Sequence, residues 1–170
     1  MKKILMGVII CFSIFGCSDS VSPGTENIIY SNSFEKESDF ENWEGIRPEN
    51  WRDDTPGIES KKSVFISGGC VLPHSLYTFR TNLPQGYYTI ECWGKALPGT
   101  SGGGVLLKYQ SGENKNYSSV DISFSDSVWT HKISGILYFD KSSDLTIEMD
   151  AGGIVASAML IDNIIVKKIK

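Results

Sequence analysis

Histidine is scarce in this chain: only His74 and His131 occur in 170 residues. Neither accompanies a nucleophile, and there is no Gly-x-Ser-x-Gly, zinc-type His pair or Cys-His signature. A glycosidase would need two carboxylates about 5 to 9.5 Å apart. The acidic residues instead collect in polar stretches, at Asp53-Asp54 and at Glu35, Glu37 and Asp39, where solvation accounts for them. Catalysis needs convergent groups in matched protonation states, so no enzyme is expected. Lys/Arg clusters are also missing, and the formal charge is −4, which makes a poor partner for nucleic acid. Gly102-Gly103-Gly104 follows Pro98-Gly99 and precedes no helical pattern, so it reads as a hairpin loop and not a phosphate cradle.

Long apolar runs are absent beyond the first residues. The one near the start, Ile4 to Phe15, falls short of the roughly twenty residues a membrane-spanning helix needs. Lys2 and Lys3 precede it and Ile14-Phe15-Gly16-Cys17 ends it. This order looks like the lipobox of bacterial lipoproteins. The resemblance implies cleavage after Gly16 and acylation of the Cys17 sulfur, so that 1–16 is a signal peptide and Cys17 the membrane anchor. Ser18 after the cysteine resembles the outer-membrane sorting pattern, which implies a cell-envelope location facing the periplasm or the surface. Loss of Lys2 and Lys3 with the leader takes the formal charge from −4 to −6.

Cysteine is sparse too. Of four, Cys11 leaves with the leader and Cys17 carries lipid, leaving Cys70 and Cys92. In an oxidising compartment these could pair; Cys92 alternates with apolar residues and reads equally as a buried thiol. Residues 17–27 form a Ser-rich tether with Pro23 and Gly24 and little to bury. Residues 28–170 suffice for one domain.

What is present in that domain is a series of short β-like runs separated by Gly, Pro, Asn and Ser. Strands are expected at 28–34, 63–67, 76–81, 87–96, 105–110, 118–124, 130–138, 145–150 and 159–168. No stretch has helical periodicity, which excludes βαβ units. The fold class is therefore all-β, a two-sheet antiparallel β-sandwich of jelly-roll type. Alternation along 87–96 puts Tyr88, Ile90, Cys92 and Gly94 in the core. Thr89, Glu91, Trp93 and Lys95 then share an outer face. Val105, Leu107 and Tyr109 likewise point inward, with Leu106, Lys108 and Gln110 outward. Asp162-Asn163 interrupts an otherwise apolar last strand, where a carboxylate needs a partner or a cation.

The landmarks Asn32-Ser33-Phe34-Glu35, Trp43, Trp51, Ser67-Gly68-Gly69, Leu83 to Ile90 before Trp93, Trp129 and Ile161-Asp162-Asn163-Ile164 fall in a recognisable order. The chain resembles carbohydrate-binding modules of the galactose-binding-like jelly-roll type over 28–170. That resemblance implies non-catalytic carbohydrate binding by rings that stack on pyranose faces. The candidates are Trp93 with Glu91 and Lys95, and the loop residues Trp43 and Trp51, while Arg47, Arg52, Asp53 and Asp54 read as a solvated turn. Trp129 is expected in the core. It also implies a structural Ca²⁺ held by Glu35 and Asp162, with Asn32 and the Gly68 region contributing. Ca²⁺ takes roughly six to eight oxygen ligands; the alternative is that Asp162 merely accepts hydrogen bonds in a tight bend. The competing reading is an interaction or structural envelope lipoprotein that docks a protein partner on the same scaffold.

Overall fold

In a computed structural model of the chain, residues 27–45, 51–52, 57–58, 60–69, 76–110, 117–152 and 156–169 are described. The leader, Cys17, Cys70 and His74 lie outside them, as does the tether up to residue 26. The described residues form twelve strands: β1 (Asn27–Asn32), β2 (Trp43–Glu44), β3 (Trp51–Arg52), β4 (Ser63–Gly68), β5 (Leu76–Leu83), β6 (Gly86–Ala96), β7 (Gly103–Gln110), β8 (Tyr117–Phe124), β9 (Thr130–Ile133), β10 (Leu137–Phe139), β11 (Ser143–Asp150) and β12 (Ser157–Lys168). One 3-10 turn, Glu37–Phe40, is the only helical element among them, so none of these residues forms a helix able to cross a membrane.

Two antiparallel sheets face each other. The seven-stranded sheet runs β10-β6-β12-β4-β3, with β1 also on β12 and β9 also on β6; the five-stranded one runs β2-β5-β11-β7-β8. This is the expected β-sandwich. Its core is made by period-two alternation: Tyr88, Ile90 and Cys92 of β6 are buried against Val105 and Leu107 of β7 and Leu145, Ile147 and Met149 of β11. Cys92 is a free thiol inside this core, and burial pushes it up to about 12. It therefore behaves as a small apolar residue and not as half of a disulfide.

Two strands change neighbours partway along. β12 pairs with β4 over 157–161 and with β1 over 164–168. Asp162-Asn163 sits at that changeover, where the register against β6 also shifts. Asn163 adopts φ 49°, a left-handed conformation that Asn tolerates better than most residues. β6 likewise pairs with β10 over 86–88 and with β9 over 91–94. The single strand expected over 130–138 is thus broken in two. Gly135 supplies the break with φ 79°, and the Ser134 amide bonds to the Ile90 carbonyl. The first strand ends earlier than expected, because Phe34 turns to φ 55° and its amide bonds to Asn32 Oδ1.

Candidate functional site

Trp43 and Trp93, both candidates for sugar stacking, fall in different places. Trp43 is buried beneath the turn that follows β1. Its ring lies 5.7 Å from Phe34 and 5.4 Å from Phe79, and its Nε1 donates to the Tyr30 hydroxyl at 3.0 Å. It is a core residue of the five-stranded side, and no ligand face remains. The reason is non-local: β2 docks on β5 with Trp43 opposite Phe79, which turns the indole inward. Trp51 is in β3, opposite Val64 of β4; its side chain lies outside the described part.

Trp93 stands on the outer face of the seven-stranded sheet, half-buried. It pairs across to His131 of β9, and the two rings stack with centroids 5.0 Å apart and planes 25° from parallel. Glu91, expected to be solvent-facing, is buried. It takes the Lys167 ammonium on Oε1 at 2.8 Å and His131 Nε2 on Oε2 at 3.2 Å. A carboxylate that far out of water needs such partners. Lys95 holds its ammonium 4.9 Å from the centre of the Trp129 ring, a cation–π contact. Trp129 is therefore half-exposed beside Lys95 and not in the core as expected. The segment before β9 starts on the sheet's outer side, which a chain read strand by strand does not show.

The outer face thus gathers two indoles, an imidazole, an ammonium and a carboxylate around β6 and β9. Sequence reading missed Trp129, His131 and Lys167. The signal for His131 was present, since Trp129, His131 and Ile133 share one parity. On the opposite sheet the outer face is made of polar pairs: Arg80 with Glu44 at 2.6 Å, Lys108 with Glu148 at 2.7 Å, and Asn82 with Asp144 at 2.8 Å. At its end a cleft of about 350 Å³ is lined by Ser101, Gly103, Asp121, Ser123 and Asp150, among others. Its hydroxyls and carboxylates could bond a polar ligand, but no indole is there.

Glu35 and Asp162 do converge, on the segment 57–62. Glu35 Oε1 accepts the Lys61 and Lys62 amides at 3.0 and 2.8 Å. Asp162 is fully buried; its Oδ2 accepts the Ile58 amide at 3.0 Å and the Ser60 hydroxyl at 2.5 Å, and its Oδ1 the Asn163 amide at 2.7 Å. A Cβ on Gly57 would fall 2.0 Å from Oδ2, so only glycine lets the chain close there. Burial, helped by the Glu35 charge, pushes Asp162 up to about 6, against hydrogen bonds from Ser60, Asn163 and Ile58 that pull it down. Asn32, by contrast, spends its amide on Tyr30 and the Asp39 carbonyl.

No group of three or more His, Cys, Asp or Glu converges among the described residues. Even so, Ser33, Glu35, Ser60, Lys61 and Asn163 border one shallow concavity beside Asp162. Its oxygen atoms, with two carboxylates close enough to oppose each other's charge, suit a hard cation in kind, against the positive charge of Lys61 at the same rim. The amide bonds already made are what the alternative, a metal-free tight bend, requires.

A two-sheet antiparallel β-sandwich with aromatic and charged side chains on one outer face is the class that this geometry defines. No family model matches the chain, and no curated protein matches it. Among solved structures it is similar to the family 22 xylan-binding domain of Paenibacillus barcinonensis Xyn10C. Identity is 17%, with 85% of this chain and 96% of that one covered, at a TM-score of 0.60. The C-terminal family 22 carbohydrate-binding module of Clostridium thermocellum Xyn10B gives 15%, 86% and 96%, at 0.57. A family 16 carbohydrate-binding module gives 21%, 72% and 96%, at 0.50. At these identities the likeness is one of fold.

Proposed function

We propose that the protein is a lipid-anchored, non-catalytic carbohydrate-binding module of the bacterial cell envelope. The observation that carries the reading is the Trp93–His131–Trp129–Lys95 cluster on the outer face of the seven-stranded sheet. Indole faces suit the C–H faces of pyranoses, and the Lys95 ammonium beside Trp129 could bond a hydroxyl at the ring edge, while the buried Glu91 holds His131 in place against Trp93. One face of Trp93 is already taken by His131 and one face of Trp129 by Lys95, so a sugar would use what each ring leaves uncovered. Solved neighbours of the same fold bear names that state xylan or carbohydrate binding, which supports the ligand class. A stacking surface this open holds each sugar weakly, so display of many anchored copies would raise retention through effective concentration. No residue here is assigned a chemical step.

Calcium is part of the proposal as a structural brace. Glu35 and Asp162, with Ser60, Ser33 and Asn163 beside them, would hold it, and its charge would stabilise the buried carboxylate where β12 changes partners. A chelator should then lower the melting temperature and added Ca²⁺ restore it; an unchanged melt leaves the hydrogen-bonded bend as the full account.

The test of binding is affinity electrophoresis of the soluble fragment 18–170 through gels containing xylan, followed by a glycan array. Retardation that Trp93→Ala and Trp129→Ala abolish supports this face. Retardation that survives both and disappears in Glu148→Ala or Asp121→Ala moves the site to the five-stranded sheet. Capture of one stoichiometric envelope protein, with no glycan retained, favours the docking alternative.

A further inference from the structure

Every large apolar side chain that is exposed among the described residues lies on or beside strands of the seven-stranded sheet. They are Ile28, Ile29, Tyr87, Val128, Ile133, Ile136 and Tyr138, between 42% and 68% accessible. The described side chains of the five-stranded sheet contribute none. Isolated exposed apolar residues are ordinary, but a one-sided collection marks a contact surface.

Most of these residues meet at one end of the sheet. Asn27 pairs with Lys168, Lys168 with Tyr88, and Tyr87 with Tyr138. The Ile169 amide bonds to the Tyr87 carbonyl. The start of β1, the start of β6, β10 and the end of β12 therefore lie side by side. Ile28, Ile29, Tyr87, Ile136 and Tyr138 project from that row, with the tyrosine rings 4.7 Å apart. Lys168 is at the same end, its ammonium on the Gln85 carbonyl.

We propose that this end of the sheet rests on the lipid surface to which Cys17 is acylated. The inference depends on the lipoprotein reading. The patch begins where the tether ends: Asn27 stands ten positions after Cys17, a reach of at most about 35 Å when extended. Anchoring makes contact between patch and bilayer intramolecular, so a few side chains suffice where a free protein would need a much larger surface. The composition suits the boundary layer, with isoleucines for the acyl region, amphipathic tyrosines for the headgroup level and a lysine beside them. The three isoleucines offer a sugar no stacking face, and the two tyrosine rings are packed on each other, which sets this patch apart from the Trp93 cluster. β6 runs from Tyr87 at the patch to Trp93, a rise of roughly 20 Å. Docking would hold the indoles off the headgroups and in water.

The test uses the full chain produced in a lipidating bacterium and reconstituted into vesicles of phosphatidylethanolamine and phosphatidylglycerol. Mass analysis of the N-terminal peptide reports acylation of Cys17. A fluorophore is placed at Ile136→Cys or, separately, at Ser119→Cys on β8, in a Cys70→Ser background, Cys92 being buried and unreactive. Lipids carrying a spin label on the acyl chain should quench the probe at 136 several-fold more than the probe at 119. Ile28→Glu with Ile29→Glu should erase that difference while leaving acylation and the melting transition unchanged.

Equal quenching at both positions on an acylated protein overturns the proposal. So does a probe at 136 shielded from aqueous iodide without lipid, which would mean a second copy or a protein partner covers the patch. An unmodified Cys17 removes the lipoprotein reading and the proposal together, and the mass alone identifies that case. Glycan retention enters none of these outcomes.

Discussion

Trp93 and His131 face each other across β6 and β9 with their rings 5.0 Å apart and 25° from parallel. His131 also bonds Glu91, so one imidazole both steadies the indole and ties it to the charged centre of the sheet. The stacking and the hydrogen bond can be separated. His131→Phe keeps a ring against Trp93 and should keep glycan retention. His131→Ala loses the stack, worth about 1 kcal/mol, and should weaken retention about five-fold in affinity electrophoresis. Equal retention in the two variants would remove the ring from any role in holding Trp93.

Glu91 is the hub of that centre, with Lys167 on one oxygen and His131 on the other. Glu91→Ala leaves the Lys167 ammonium half-buried without this partner. Removing one member of a fully buried pair costs about 3 to 5 kcal/mol. Water reaches Lys167 and His131 in part, so a loss of about 2 kcal/mol is expected, read as a lower urea midpoint at unchanged slope. Glu91→Gln keeps acceptor oxygen and shape and should lose less.

Asp162 gives a pH dependence of definite sign. Its folded value lies at about 6, above the ordinary 3.8, with burial as the main cause. Between those values the folded state binds more protons than the unfolded one, so stability falls as pH rises from about 4 to about 6. The whole change is on the order of 3 kcal/mol. It should appear as a declining urea midpoint in chelator-treated protein, and Asp162→Asn should flatten it. Bound Ca²⁺ would favour the carboxylate and reverse the trend, so the same titration with Ca²⁺ added reads the cation site from a second direction.

Trp43 separates core from ligand. Trp43→Ala empties a site walled by Phe34, Phe79 and Tyr30 and should cost about 3 to 5 kcal/mol, with a clear drop in melting temperature. Trp43→Phe gives up the Nε1 bond to Tyr30 but keeps a ring, and should cost about half as much. At temperatures where it is folded, the Phe variant should retain glycan like the parent. A selective loss of binding at unchanged stability would return Trp43 to the ligand site.

The architecture was legible because strand alternation is a local signal. Tyr88, Ile90 and Cys92 point inward and Thr89, Trp93 and Lys95 outward as their parity requires. Asp162 announced itself as an interruption in an apolar strand. What parity could not convey is how far an outward residue is covered. Glu91 has the same parity as Trp93, yet it lies under Lys167 and His131, brought by strands far away in the chain. Trp43 and Trp129 were misplaced for the same reason. Each belongs to a segment whose side of the sandwich is fixed by docking, of β2 on β5 and of β9 on β6.

The sequence by itself determined the long strands, their inward faces and hence the sandwich, since a two-residue period needs no knowledge of neighbours; the short β2 and β3 and the break at Gly135 it did not. It also carries the lipobox-like order on which the proposed lipid anchor rests, a pattern that depends on residue order alone. Only the tertiary structure decided which strands lie side by side. Those pairings stack an imidazole on Trp93, bring the Ile58 amide and the Ser60 hydroxyl onto the Asp162 carboxylate and collect the exposed isoleucines and tyrosines around the start of β1. Contacts of that kind join residues separated by tens of positions, and their energies come from packing and desolvation that no local pattern records.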